Sequence, residues 1–229
     1  FLFDGSYRNV TTLRTSASGT VSYVQSLGHD PHVVWIEANS GTIFIDATDE
    51  RQQGGGCPSI GTWDQETRTC TLTRDVLEDE TIEITSSDTT LDCFNPATQQ
   101  RHQVVKTTPG VAIAITGRTA PTYSPNFNSA IRNCDVRTSG GATGGIVLLG
   151  FTNGGRVENN ILTNATGSYA MFVFGVTNNI EIRGNSFEGT TAIGLREANA
   201  TLVTQNVVNG DSGVALMGYG ATNNVLTGN

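Results

Sequence analysis

Apolar and polar positions repeat through the C-terminal third of the chain. Four segments align on an asparagine: Gly155-Arg-Val-Glu-Asn-Asn160-Ile-Leu162, Ile180-Glu-Ile-Arg-Gly-Asn185-Ser-Phe187, Thr201-Leu-Val-Thr-Gln-Asn206-Val-Val208 and Val225-Leu-Thr-Gly-Asn229. An apolar residue stands three places before each asparagine (Val157, Ile182, Val203, Leu226), and another two places after it where the chain continues (Leu162, Phe187, Val208). Before each segment runs a second apolar stretch: Gly145–Leu149, Ala170–Phe174, Ala192–Leu195 and Val214–Met217. Short runs of this kind predict half-buried strands. The asparagines lie 25, 21 and 23 residues apart (160 to 185 to 206 to 229). A period in this range predicts stacked coils, each one supersecondary unit resting on the next.

Successive coils place equivalent residues about 4.8 Å apart. A buried asparagine at the same turn of each coil can then bond to its neighbours above and below. That satisfies an amide whose unpaired burial costs about 1–3 kcal/mol. Gly and Asn at the corners accept the dihedrals of tight bends. On these residues the chain resembles the right-handed parallel β-helix proteins of the pectate-lyase-like superfamily, closest to their NosD-like surface and periplasmic members. The resemblance spans roughly residues 70–229 and implies an all-β solenoid. It implies little about activity, because one scaffold hosts many functions.

Upstream, Cys70–Val76, Thr81–Thr85 and Thr89–Cys93 read as three strands of the first coil, and Val111–Ile115 with Ala130–Val136 as the next. Polar insertions at 95–108 and 118–128 are expected to leave the coils. Residues 51–70 read as a loop broken by Gly54-Gly-Gly56, Pro58 and Gly61. Residues 1–50 are not repetitive. Val33–Ile36 and Thr42–Ile45 predict two strands capping the N-terminal end of the solenoid. The expected organisation is an N-terminal cap and disulfide-loop region over 1–69 and a parallel β-helix over 70–229. Asn229 is itself a ladder position, so the helix is expected to continue in a longer chain.

Aligned with Asn185, Cys134 falls on the asparagine column, and so does Cys93. The column then reads Cys93, Cys134, Asn160, Asn185, Asn206, Asn229. Of the three connectivities that four cysteines allow, the chosen one pairs Cys93 with Cys134 across adjacent coils and Cys57 with Cys70 across their own loop. A metal pair at Cys57 and Cys70 lacks the spacing and the further ligands. Two disulfides point to an oxidising, extracellular or cell-surface location. The sequons at Asn9, Asn164 and Asn199 fit that location, against chance in an Asn/Thr-rich chain.

The same alignment gives outward columns. Arg132, Glu158, Arg183 and Thr204 stand two places before the ladder, and Arg156 and Glu181 four places before it. Opposite charges stacked coil on coil predict a solvated salt-bridge ladder. Alternatively they line a glycan-binding face, with the arginines on uronate carboxylates. Arg196-Glu197 interrupts an apolar strand and reads as an outward bend.

A net charge of −8 works against nucleic-acid binding, and no apolar run reaches membrane-spanning length. No pair of coil carboxylates stands on neighbouring columns without an arginine between. Polygalacturonase signatures, P-loop, nucleophile elbow and zinc spacing are absent from the sequence. His29-Asp-Pro-His32 resembles the Asp-Pro-His core of alginate C5-epimerases, but Val33 replaces the acidic residue that follows it there, and a turn explains it as well. Three functions stay open: a structural or adhesive surface protein partnered by neighbouring subunits, a glycan-binding module on polysaccharide, and a lyase or C5-epimerase. No cofactor is expected, except calcium under the lyase reading.

Overall fold

The computed structural model describes residues 41–47, 54–77, 80–117, 125–140, 142–150, 152–164, 169–216 and 221–229. They belong to the compact unit Thr42–Asn229, save Gly41, which ends the first unit. The expectations for Asn9, His29, His32 and the strand over 33–36 lie outside the described residues.

The chain winds into a parallel β-helix with three strands per coil. One sheet stacks Thr69–Leu72, Thr90–Asp92, Ala130–Arg132, Arg156–Glu158, Glu181–Arg183, Leu202–Thr204 and Val225–Thr227, all parallel. A second face carries Gln103–Lys106, Asp135–Thr138, Ile161–Asn164 and the first halves of Ser186–Asn199 and Val207–Leu216. The third carries Thr42–Ile45, Thr81–Ile84, Gly110–Thr116, Ala142–Leu149, Tyr169–Asn178 and the second halves of those two long strands. Because the long strands run across a corner, the second and third faces share one hydrogen-bonded sheet.

Alternation within each strand sends one set of side chains inward. Leu91, Ile131, Val157, Ile182 and Val203 form one buried column, and Val104, Val136, Leu162 and Phe187 another. Ile82, Ile113, Ile146, Met171 and Ile193 make a third, with Ile84, Ile115, Leu148, Val173 and Leu195 beside it. Like stacks on like, so the core is continuous along the coils.

Sharp bends flank the first sheet. Asn133, Asn159, Gly184, Gln205 and Gly228 take positive φ on its ladder side, and Arg68, Asp88, Asn128, Gly154, Asn179, Ala200 and Asn223 on the other. The corner N–H groups of Asp88, Asn128, Asn133, Gly154, Asn159, Asn179, Gly184 and Ala200 are tied to the coil above. Asn159 N donates to Arg183 O at 3.1 Å, and Asn179 N to Asn199 O at 3.1 Å.

The first coils differ from expectation. Thr69–Leu72 and Thr90–Asp92 are stacked neighbours in one sheet, not strands of one coil. The coil that opens at Thr90–Asp92 closes at Gly110–Thr116, and Ala130–Arg132 opens the following one. The polar stretch 95–108 contains a solenoid strand, Gln103–Lys106, whose Val104 is fully buried. Only the small antiparallel pair Phe94–Asn95 with Gln100–Arg101 leaves the coil. Asn126–Phe127, placed in the second insertion, pairs with Thr152–Asn153.

Within the region read as a cap, Thr42–Ile45 stacks in parallel on Thr81–Ile84 and is therefore a solenoid rung. Residues 51–70 are not all loop, for Gly61–Asp64 pairs antiparallel with Thr69–Leu72 and covers the edge of the first sheet. Covering an edge blocks pairing with another chain. The hairpin turns on Asp64, whose Oδ1 accepts from Glu66 N at 2.9 Å and Thr67 N at 3.2 Å. The backbone and side chain of Thr67, and the backbone of Glu66, hold this carboxyl below its usual value.

Candidate functional site

The predicted column exists. Asn160, Asn185 and Asn206 are buried, and each bonds in the same way. Asn185 Nδ2 donates to Val157 O at 2.9 Å in the coil below and to Asn206 Oδ1 at 3.0 Å in the coil above. Its Oδ1 accepts from Asn160 N at 2.9 Å and Asn160 Nδ2 at 3.0 Å. Asn206 repeats this with Asn229, whose Nδ2 reaches Val203 O at 3.0 Å. Below, Asn160 Oδ1 accepts from Cys134 N at 2.8 Å, and there the column turns covalent. Cys93 is bonded to Cys134 and Cys57 to Cys70, as predicted. A positive-φ corner residue precedes Cys134 and each ladder asparagine and sets it inward, which is why sequence spacing alone located the column.

The outward residues of the first sheet also stand in the expected register. Asp92 extends the column, which runs Asp92, Arg132, Glu158, Arg183, Thr204. Beside it Arg156 faces Glu181 across one coil step. The ion pairs, however, form at alternate steps only. Arg132 Nε lies 2.8 Å from Asp92 Oδ2, and Arg183 Nη2 lies 3.1 Å from Glu158 Oε1. Arg183 Nε sits 3.7 Å from Glu181 Oε1. Among the described residues no ion pair joins Arg132 to Glu158 or Arg156 to Glu181. The two signs also differ in depth: the Arg132 and Arg183 side chains are 44% and 48% exposed, against 13% for Asp92 and 16% for Glu158. Short carboxylates lie against the sheet, and the longer guanidinium stems carry charge above them.

Other carboxylates of the coils are likewise matched to guanidinium groups. Asp135 is held by Arg137, with Oδ2 2.8 Å from Nη2 and Oδ1 3.2 Å from Nε. That hydrogen bond and its charge raise the Arg137 pKa further. Glu197 lies 4.0 Å from Arg196. The bend expected there is present: Glu197 has φ 56°, and the strand slips register between Phe174 and Thr177. Among the described residues no group of three or more His, Cys, Asp or Glu is placed to hold a metal ion.

Two sequon asparagines are committed to the fold. Asn164 points inward from Ile161–Asn164 and is 2% exposed. Asn199 Nδ2 donates to Asn178 Oδ1 at 3.0 Å, and its Oδ1 accepts from Thr222 and Asn223. These contacts form a second, half-exposed amide column that the sequence reading missed.

Two further features escaped it. On the outer side of the third face Tyr169, Phe172 and Phe174 stack, with centroids 4.9 and 5.8 Å apart, and Arg196 sits 5.0 Å over the Phe174 ring. Their alternation with Ala170, Met171 and Val173 was the available signal. A Cβ on Gly194 would fall 2.7 Å from Phe172 and 2.9 Å from Tyr169, so these rings cover the next coil's backbone. The ring faces are thus spent on one another and on Arg196. Buried His102, which ends the excursion over 94–102, places Nδ1 3.1 Å from Asp75 Oδ1, and the same oxygen accepts from Gln103 N at 2.9 Å. This contact pins the excursion to the coil below.

Among the described residues no helix is long and apolar enough to cross a membrane. No family model matches the chain, and neither a curated protein nor a solved structure is significantly similar to it.

Proposed function

We propose that this chain is a structural or adhesive protein of the cell exterior, a rigid β-solenoid that presents flat outer faces to polysaccharide or to neighbouring subunits. One observation carries the reading: an inner column in which the described side-chain amides are hydrogen-bonded from coil to coil and which ends in a disulfide. Such a column couples each coil to the next and resists the local opening that lids and active-site loops require. The two disulfides support an oxidising location. The finer likeness to NosD-like members of the pectate-lyase-like superfamily belongs to the same proposal, as does a non-catalytic role. Arginines set against Asp92, Asp135 and Glu158 occupy groups that acid–base chemistry would need free.

Two measurements test it. Antibody raised against the chain should label intact producing cells, and labelling only after permeabilisation would refute an exterior role. Incubation with uronate polymers, with and without calcium, should yield no unsaturated product. Product that disappears in the Asp135→Asn or Glu158→Gln variant would replace this reading with a lyase.

A further inference from the structure

We infer that the outer surface of the third face is a self-association surface, on which a second copy of this chain packs antiparallel about a two-fold axis at the level of Val147. The inference rests on the reading of a solenoid that presents its faces to neighbouring subunits, and it names the face and its occupant.

Charge is unevenly divided along the chain. Residues 42–92, which open the solenoid, hold twelve acidic residues and three arginines, a net −9. Residues 93–229 hold six acidic and eight basic residues, a net +2. Two copies lying side by side in the same direction would set one −9 stretch against the other. Reversed, each acidic stretch runs along the weakly basic coils of its partner, which favours the antiparallel pair.

The third face is where such a pair can close. Its outward residues stand in two columns. One runs Phe44, Glu83, Ala114, Val147, Phe172, Gly194. Beside it stand Thr116, Leu149, Phe174 and Arg196. These columns carry a single acid and a single base, whereas the outward columns of the first sheet carry three acids and three arginines. A face this poor in charge suits close contact between two acidic chains.

The pattern is complementary to itself about Val147. Phe172 lies one coil step above Val147 and Ala114 one step below. Arg196 lies two steps above and Glu83 two steps below. A two-fold axis running along the Val147 strand exchanges the steps above and below, so each residue meets its opposite number, as an isologous contact requires. Phe172 then faces the partner's Ala114, large against small. Arg196 comes within about 7 Å along the strand of the partner's Glu83, inside the reach of an arginine side chain.

Depth agrees with that fit. Ala114 and Val147 are recessed, at 3% and 5% exposed, and form a floor for the partner's rings. Phe172 and Phe174 stack at 5.8 Å and stand over it as a fixed pair. The Arg196 side chain is half exposed and makes only a long contact with Glu197, at 4.0 Å. Glu83 accepts from Thr116 through Oε1, which leaves Oε2 for a cation. From the Phe44 strand to the Arg196 strand the face extends five coil steps, about 24 Å, and about 20 Å along the strands. About 500 Å² per copy is the low end for a specific interface, so the pair should be reversible, with a Kd of about 1–100 µM.

Sedimentation velocity of the full chain, between about 1 and 200 µM, tests this. A monomer–dimer equilibrium is expected, weakening as salt is raised. Glu83→Arg alone and Arg196→Glu alone should each weaken the dimer about tenfold or more, since the two-fold repeats every like-charge contact. The double variant, Glu83→Arg with Arg196→Glu, should recover most of the affinity. Arg137→Glu, on the second face, should leave it within about threefold of wild type. Circular dichroism and urea midpoints confirm that each variant keeps the fold. A chain that stays monomeric, a larger oligomer, or a dimer indifferent to both single swaps would overturn the inference. So would a double variant as weak as the singles, because the charges would then not face one another. A monomer that still labels on intact cells leaves the exterior reading standing, whereas a dimer found only inside cells keeps this interface and removes that reading.

Discussion

Replacing Asn185 with alanine should cost far more than a surface asparagine does, and the reason can be counted in bonds. The wild-type side chain makes four: two donated, to Val157 O and Asn206 Oδ1, and two accepted, from Asn160 N and Asn160 Nδ2. Asn206 Oδ1 keeps the backbone N–H of residue 185, and Asn160 Nδ2 keeps Ile131 O. The groups left stranded are the Asn160 N–H and one hydrogen of its amide, both in a closed interior, whereas the Val157 carbonyl lies in the parallel ladder with Glu181–Arg183 and keeps its partner there. At about 1–3 kcal/mol for each of the two stranded groups, with partial relaxation, the expected loss is about 2–5 kcal/mol. That is a large part of the roughly 5–15 kcal/mol that holds a typical domain folded. The control is Asn209→Ala, an exposed position on the second face, expected within about 0.5 kcal/mol of wild type. Urea denaturation followed by circular dichroism gives both values. Hydrogen exchange adds a local readout: the Asn160 amide should lose protection in the variant before the amides of the third face do. A loss under 1 kcal/mol, or an Asn160 amide as protected as in wild type, would refute the idea that the column couples the coils.

The remaining predictions concern the bonds around that column. Removing the Cys93–Cys134 link by paired alanine substitution frees a 41-residue loop and should destabilise by about 4 kcal/mol, against about 3 for the 13-residue Cys57–Cys70 loop, when urea midpoints are compared. Protein secreted from a glycosylating host should carry no glycan at Asn164, since that side chain is buried; intact mass spectrometry of the folded product showing occupancy there would contradict the placement. The Asp64 carboxyl is held below its ordinary value, so the turn gains support that is complete above the unfolded aspartate range and fades as pH falls through the lower folded value. Titration of the Glu66 and Thr67 amide shifts should show that transition below about pH 3.9, the ordinary aspartate value, and a midpoint above it would reverse the assignment.

What the sequence determined by itself was everything written in a strict repeat. Asn160, Asn185, Asn206 and Asn229 sit at equal phase between apolar neighbours, and parallel stacking then follows, because only like positions in contact can satisfy each amide. Cys93 and Cys134 were legible for the same reason, as substitutes on the same column. Register of Arg132, Glu158 and Arg183 came with it. Where an excursion broke the phase, the reading failed. Val104 is the inward residue that Leu162 and Phe187 predict, but the segment 94–102 separates it from Cys93, so its strand passed for polar insertion. Thr42–Ile45 passed for a cap because no ladder residue marks its coil, and only its pairing with Thr81–Ile84 places it in the stack. The tertiary structure alone decided depth: which of two charges in one column stands above the other, that Asn164 faces in, and that Phe172 lies over Gly194. Sequence phase fixes which face a residue takes. Side-chain length, corner dihedrals and the neighbour one coil away fix how far it reaches, and those are contacts between residues 20 to 40 positions apart.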